Sequence, residues 1–177
     1  MENQSNSVNH MAMTYGLYMG LAMILNLVVF YVMGVPFSQY SGYISYAIAI
    51  GGIALSMKTY RDNNTEGGVT YGRALGLGTL QSFFASLIVA FFTFVLFKLV
   101  DKALIDKLLS FMEEQILRAG ISENQAEAAM TMYRKLLTPL TYSLGQIFGV
   151  SMMGFILSLI IAIFFQKKST DPFHGIE

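Results

Sequence analysis

The residues of this chain whose types and spacing could do chemistry are few, and the first group is Asp62-x-Asn64-x-Glu66-Gly67. Oxygen donors at alternate positions, followed by a glycine, resemble the first half of a calcium-binding loop. The twelfth position of such a loop supplies a bidentate Glu, whereas the corresponding residue here is Arg73. Because that ligand is missing, the sequence predicts no metal site.

A second group is basic and lies on both sides of the same polar stretch. It consists of Lys58, Arg61 and Arg73, accompanied by Tyr60 and Tyr71. Clustered cations beside an apolar segment can bind lipid headgroups, so these three residues form a candidate headgroup-binding site. The simpler alternative is that the cations and tyrosines only anchor the ends of membrane helices at the interface.

Catalytic groups are not apparent elsewhere. His10 and His174 stand alone near the two ends, and the chain has no Cys. No nucleophile motif, metal-ligand spacing or phosphate-binding loop occurs. The sequence therefore predicts a protein that is not an enzyme and needs no cofactor. The formal net charge is zero, which leaves no electrostatic footprint for a nucleic acid.

The composition indicates where the protein resides. Of its 177 residues, 54% are apolar and only 12% are charged, and no Lys, Arg, Asp or Glu occurs between Glu2 and Lys58. Soluble domains carry about 25% charged residues. The sequence therefore predicts one membrane domain over residues 1–177. Its first residues, Met1–Met11, lack the basic start and cleavage site of a secretory signal, so we expect the segment that follows to be retained.

Apolar runs define the expected spans. A helix needs about 20 residues to cross the hydrocarbon region of a bilayer. Four runs come close to or exceed that length and predict an all-α four-helix membrane bundle: Ala12–Met33, Tyr40–Met57, Ala74–Phe97 and Leu140–Phe165.

Between spans three and four lies a polar region, Lys98–Thr138, that still has helical periodicity. Apolar residues recur three and four positions apart, which is typical of one helix face. A C′ glycine at Gly120 and a capping box at Ser122–Gln125 divide the region into two helices. We expect an extramembrane helical hairpin standing on the membrane, closed by two stripes that face each other: Ile105, Leu109, Met112 and Ile116 against Ala126, Met130, Tyr133 and Leu137.

The first hairpin helix carries another apolar stripe, formed by Leu104, Leu108 and Phe111. If the first stripe closes the hairpin, this one is left for a partner helix or a lipid surface, so its residues are candidate partner-binding residues. The alternative is that the two helices bury most of both stripes together.

Small residues recur at four-residue spacing, which lets membrane helices approach closely. We expect the following glycines to face other helices: Gly16, Gly20, Gly72, Gly76, Gly145 and Gly149. Packing within the bundle explains them, and a homodimer face on span four is the alternative.

The polar residues inside the spans are chiefly Asn26, Gln81 and Gln146. Hydrogen bonds between helices would explain them without a function. No charged residue lies at mid-membrane depth, which argues against ion-coupled transport.

An internal similarity relates the two halves of the chain. Thr14-Tyr15-Gly16 with Gly20 opens span one, and Thr70-Tyr71-Gly72 with Gly76 opens span three in the same register. The pattern is consistent either with a duplicated two-span hairpin or with coincidence.

Several of these motifs together resemble the domain of unknown function 4199 family, small four-span membrane proteins of Bacteroidota-type bacteria. The resemblance is carried by Lys58-x-Tyr60-Arg61-Asp62, Gly67-Gly68, Tyr71-Gly72-x-Ala74-Leu75-Gly76, Tyr15-Gly16, the polar region around Glu113–Arg134 and Thr138-Pro139. It implies a location in the bacterial cytoplasmic (inner) membrane. It assigns no activity and no site residue.

The expected function is that of a membrane scaffold or accessory subunit, embedded in the lipid bilayer and binding a membrane protein or a second copy through its hairpin. The alternative is a small oligomeric transporter or channel. Polar residues facing one cavity would favour the transporter, and an exposed apolar stripe on the hairpin would favour the scaffold. The compact basic joint at Lys58–Arg73 favours both termini in the cytoplasm.

Overall fold

The fold is all-helical in a computed structural model that describes residues 2–63 and 69–166, except for the side chains of residues 2–7 and 123. The helices are α1 (Glu2–Val32), α2 (Gln39–Asn63), α3 (Tyr71–Val95), α4 (Leu104–Arg118), α5 (Glu123–Leu136) and α6 (Pro139–Phe165), and a π-helical turn, Leu96–Val100, follows α3.

Four of these helices, α1, α2, α3 and α6, are long and apolar enough to cross a membrane, which suggests a multi-pass membrane protein. They coincide with the four predicted spans. The predicted bounds are too short at two places, because α1 begins at Glu2 rather than Ala12 and α2 ends at Asn63 rather than Met57. Hydropathy marks the apolar part of a helix, whereas backbone hydrogen bonding continues into the polar residues beyond it.

The helix α3 lies at the centre of the packing. It contacts α6 and α1 most extensively, and α2 packs against α1, α6 and α3. The main core includes Ile53 and Met57 of α2 with Leu77 and Ala85 of α3, all fully buried. The bundle therefore buries one face of every long helix.

The interface between α3 and α6 is built from small residues. Gly78 lies against Ser158, and Gly154 lies against Ser82, so that a Cβ atom at either glycine would collide with the opposing serine. About one helical turn further along α3 and α6, the hydroxyls of Ser86 and Ser151 are 3.1 Å apart. The backbones can approach closely here because neither helix presents a large side chain.

The glycines expected to face other helices divide into two groups. A Cβ at Gly16 would lie 2.8 Å from the backbone oxygen of Gln81, and one at Gly20 would lie 3.3 Å from that of Ala85, which confirms the prediction for α1. The prediction is wrong within the bundle for the other four, which have nothing within 4 Å of a built Cβ: Gly72, Gly76, Gly145 and Gly149. A dimer face on α6 stays a prediction.

The duplicated tyrosines have comparable contacts although the glycines after them do not. Tyr15 on α1 donates to Thr59 Oγ1 on α2 at 2.9 Å, and Tyr71 on α3 donates to the Leu159 carbonyl on α6 at 3.1 Å. Each tyrosine thus joins the two long helices of its own half, as a duplication would predict.

The path from α3 to α4 is broken at Asp101, whose backbone is extended at φ −138° and ψ 95°. The helix α4 does not continue α3, and it lies against the turn between α1 and α2. Gln39 donates to Gln115 Oε1 at 3.2 Å, and the rings of Phe37 and Phe111 are 6.3 Å apart. The helix α4 is therefore packed on the bundle rather than aligned with α3, and its position relative to the membrane surface stays a prediction.

A short turn joins α4 to α5, and the two helices are in contact. Gly120 has φ +79°, which confirms it as the C′ glycine of α4. Ser122 is the N-cap of α5 but makes no side-chain cap bond, so the predicted capping box does not form there. A capping box is present instead at Thr138 and Thr141, with Pro139 as the first residue of α6. The pairing of the two predicted stripes stays a prediction.

Candidate functional site

The basic residues near the joint differ in their surroundings. Arg61 is 3.2 Å from Asp62 Oδ1, and its guanidinium lies 5.5 Å from the centre of the Phe165 ring. Lys58 and Arg73 are exposed. The ion pair and the ring give Arg61 a structural role, and headgroup binding stays a prediction.

Most of the calcium-like loop lies outside the described residues, since these omit positions 64–68. Asp62, its first acid, is paired with Arg61. Among the described residues, no three His, Asp or Glu side chains come together in a way that could hold a metal ion.

The second apolar stripe of α4, formed by Leu104, Leu108 and Phe111, is largely buried within the protein. Leu104 is fully buried and Leu108 nearly so, in a cluster with Leu96 and Phe97. Phe111 is half-buried beside Phe37. We therefore correct the premise that this stripe is free for a partner, because the helical bundle of the same chain covers Leu104 and Leu108.

Of the polar residues inside the long helices, Gln81 serves packing. It is fully buried and its Oε1 accepts a hydrogen bond from Ser56 on α2. Its Nε2 lies 3.7 Å from Met19 Sδ on α1. These contacts join three helices and leave no part of this amide exposed to a cavity.

Asn26 and Gln146 instead face a common cleft of about 540 Å³ near the α4 end of the bundle. All four long helices contribute to its walls. Its apolar lining includes Met23, Val89 and Met153. Nine lining residues have polar side chains: Asn26, Ser38, Gln39, Ser41, Ser45, Tyr46, Thr93, Tyr142 and Gln146.

Asn26 connects α1 to α2 on one side of the cleft. Its Nδ2 donates to the backbone oxygen of Ser41 at 3.0 Å, lies 3.2 Å from Ser41 Oγ, and is 2.9 Å from Ser45 Oγ. The residue is 8% exposed. This network fixes the position of the amide and keeps the first turns of α2 close to α1.

On the opposite side, Gln146 Nε2 donates to the Tyr142 hydroxyl at 3.0 Å. The Tyr142 ring stacks on Phe97, with ring centres 5.0 Å apart. Because the hydroxyl accepts from Gln146, its own proton is available for another acceptor. Phe97 belongs to the π-helical turn, and such irregular turns occur frequently at functional sites.

Thr93 lies at the back of the cleft on α3. It is 2% exposed, and its Oγ1 has no hydrogen-bond partner among the described residues. A buried hydroxyl without a partner costs free energy, and such groups warrant an explanation in a native structure. This oxygen has almost no accessible surface, so a molecule in the cleft does not reach it in this arrangement.

The cleft opens between α2 and α6. Gly42 and Tyr46 of α2 and Gly149 of α6 line it, and all three are exposed. Neither glycine has an atom within 4 Å of a built Cβ. At the far end the same helices are held together where Arg61 meets Phe165. The exposed lining residues therefore lie on the side of the bundle between α2 and α6, and at its α4 end, where Gln39 is also exposed.

The lining is uncharged, since no Asp, Glu, Lys, Arg or His belongs to it. At the α4 end, Phe37, Leu108 and Phe111 contribute apolar surface to the lining. Such a site can donate and accept hydrogen bonds and bury apolar groups. Its side chains offer no general acid or base that titrates near neutral pH.

Comparison with protein families matches residues 14–167 to the family described as protein of unknown function, DUF4199. The chain belongs to the DUF4199 family. This confirms the resemblance inferred from the sequence, and every residue that lines the cleft lies within the matched part of this DUF4199 chain. No curated protein matches the chain. No solved structure matches it either.

Sequence reasoning found two of the polar cleft residues, Asn26 and Gln146, because amides are rare in apolar runs. It missed Thr93 and Tyr142, whose types are common in membrane helices. A weak signal was present at the start of α2, where Ser38, Ser41 and Ser45 recur on one face. Only the packing of the helices shows that these residues share a cavity.

Proposed function

We propose that this chain is a multi-pass protein of the bacterial cytoplasmic (inner) membrane that binds a small molecule in the cleft between α2 and α6. It has no catalytic activity of its own, and it falls in the class of small transporters and carriers. One observation carries the proposal: polar side chains from α1, α2, α3 and α6 meet at a single cleft. Concave sites with few convergent polar groups are the usual form of ligand sites, and this volume falls within their range of about 300–1,000 Å³.

From the sequence, one structural feature would favour a transporter and another would favour a scaffold. These two features support the transporter class. Polar residues facing one cavity were the feature expected of a transporter. The exposed stripe expected of a scaffold is instead largely covered, since Leu104 and Leu108 pack on Phe97. The scaffold function becomes the second candidate.

The uncharged lining limits the type of transport. Proton- and ion-driven transporters usually place ionisable residues along their pathway. This cleft has none. A protein of this kind would bind or carry its ligand without coupling to an ion gradient.

Native mass spectrometry of the protein released from lipid nanodiscs tests the proposal. We expect the parent protein to retain a bound molecule, and Gly149→Phe to lose it, because the new ring would fill the open side of the cleft. Gly145→Phe is the matched control, since Gly145 is also exposed on α6 but does not line the cleft. Equal retention by all three proteins, or retention by none, would contradict the proposal.

The scaffold function is favoured by a separate observation. An open groove of about 690 Å³ runs between the turn after α1 and the helix α4, lined by residues of both charges, including Asp106, Lys107, Glu114 and Arg118. Such a surface could receive a polar segment of a partner protein. Cross-linking in membranes followed by mass spectrometry tests it: Ser110→Trp in the groove should remove a specific partner that Met132→Trp, on the exposed face of α5, retains.

A further inference from the structure

The depth, lining and opening of the cleft together indicate what it binds. We infer that its ligand is an uncharged, hydroxyl-bearing lipid that enters from the bilayer between α2 and α6. This inference rests on the proposed small-molecule site and names the class of ligand. Three independent observations lead to it.

The first observation is depth. Asn26 precedes the end of α1 at Val32 by about 9 Å along the helix axis, at 1.5 Å per residue. Gln146 follows the start of α6 at Pro139 by about 10 Å. The long helices span more than the roughly 30 Å of the hydrocarbon core. Polar groups at this distance from the helix ends lie near the boundary between headgroups and acyl chains, where the glycerol and ester groups of lipids are found.

The second observation is the absence of charge in the lining. A phosphate or ammonium group brought into this site would lose its hydration without meeting an opposite charge, which is strongly unfavourable. Hydroxyl and ester groups have suitable partners here. The Tyr142 hydroxyl can donate, and the Gln146 side chain carries a carbonyl acceptor.

The third observation is the lateral opening. Gly42 and Gly149 lie on its two sides without side chains, while Tyr46 lines it from α2. A polar group can therefore sit between the helices while its chains remain in the lipid outside. At the α4 end the lining includes the apolar residues Phe37, Leu108 and Phe111, which suit the apolar part of a lipid better than a water-soluble ligand.

The absence of Trp from the chain permits a direct test. Tyr46→Trp places a single fluorophore at the opening, and Tyr43→Trp places one on the same helix at an exposed position that does not line the cleft. Each variant is reconstituted in phosphatidylcholine nanodiscs. Brominated diacylglycerol, phosphatidylcholine and phosphatidylglycerol with identical chains are then compared as quenchers.

We expect brominated diacylglycerol to quench the fluorophore of Tyr46→Trp at a mole fraction roughly ten-fold lower than that of Tyr43→Trp, as selective occupancy requires. The two brominated phospholipids should quench both variants alike. Adding Gly149→Phe to Tyr46→Trp should abolish the difference, whereas adding Gly145→Phe should not.

Equal quenching of both variants by diacylglycerol, or stronger selective quenching by a phospholipid, would overturn the inference. Such a result leaves the proposed function standing if native mass spectrometry still finds a molecule that Gly149→Phe removes. If that molecule is also absent, both the ligand class and the proposed function are wrong.

Discussion

At the scale of single residues, the contrast between glycines shows what determines close packing in this bundle. Gly154 lies against Ser82, whereas Gly145 on the same helix has open space around it. Spacing could not distinguish them, since both belong to rows of small residues on α6. In lipid, apolar side chains suit both the lipid-facing and the helix-facing sides, so hydropathy does not reveal which row is buried.

The first prediction concerns Gly154→Ala. The new Cβ would collide with both Cβ and Oγ of Ser82, and rotation of the hydroxyl relieves only the second contact. We expect a loss of about 1–3 kcal/mol in the free energy of unfolding, the usual range for overpacking. Unfolding in mixed micelles with increasing dodecyl sulfate measures it.

Gly145→Ala provides the matched control, because it adds the same atom to the same helix in open space. It should leave stability unchanged or raise it slightly, since alanine has the higher helix propensity. Equal destabilisation by the two variants would show that the α3–α6 contact is not the tight one.

At the scale of helices, periodicity predicted α4 and α5 but not their placement. The amphipathic pattern identified Leu104 and Leu108 as apolar, yet it could not show that Phe97 covers them. The reason is the break at Asp101, which turns α4 back toward the bundle. Asp101 accepts from the Ala103 backbone N–H at 3.0 Å and is 3.3 Å from Lys107 Nζ, contacts that depend on the turn itself.

The second prediction tests the position of α4 with cysteines, which the native chain lacks. The side chains of Gln39 and Gln115 are hydrogen-bonded at 3.2 Å across the turn between α1 and α2. We expect the pair Gln39→Cys and Gln115→Cys to be joined in membranes by a short bifunctional thiol cross-linker, which spans the distance that the two glutamine side chains bridge end to end. The cross-linked protein should unfold more slowly than the same variant without the cross-link, as followed by its electrophoretic mobility.

The control pair is Gln39→Cys with Lys135→Cys, since Lys135 lies exposed on the other hairpin helix. It should not be cross-linked. A cross-link in the control pair but not in the first would mean that α4 does not lie against the turn between α1 and α2.

At the scale of the whole molecule, the apolar runs were sufficient to predict four long helices, and short motifs carried the resemblance to the family. These sequence features did not predict the cleft. Asn26 and Gln146 are far apart in the chain, and their common cavity depends on how far α2 and α6 separate near α4. That separation depends on how all four long helices pack, and no local pattern encodes it.

The third prediction concerns orientation in the membrane. The basic joint after α2 and the pair Lys167 and Lys168 favour both termini in the cytoplasm. A green fluorescent protein fused after Lys168 should fluoresce, and alkaline phosphatase at the same position should be inactive. A phosphatase fused at the turn before Ser122 should be active. The reverse pattern would place the cleft in the cytoplasmic leaflet.

The most direct test of the central claim, that the cleft binds a ligand which stabilises the fold, is thermal unfolding of delipidated protein before and after native membrane lipid extract is added. A ligand that binds only the folded state stabilises it by about 2.7 kcal/mol at 100 times its dissociation constant. We expect the extract to raise the unfolding temperature of the parent and of Gly145→Phe by several degrees, and to leave Gly149→Phe almost unchanged. An equal rise in all three proteins, or no rise in the parent, would contradict the account.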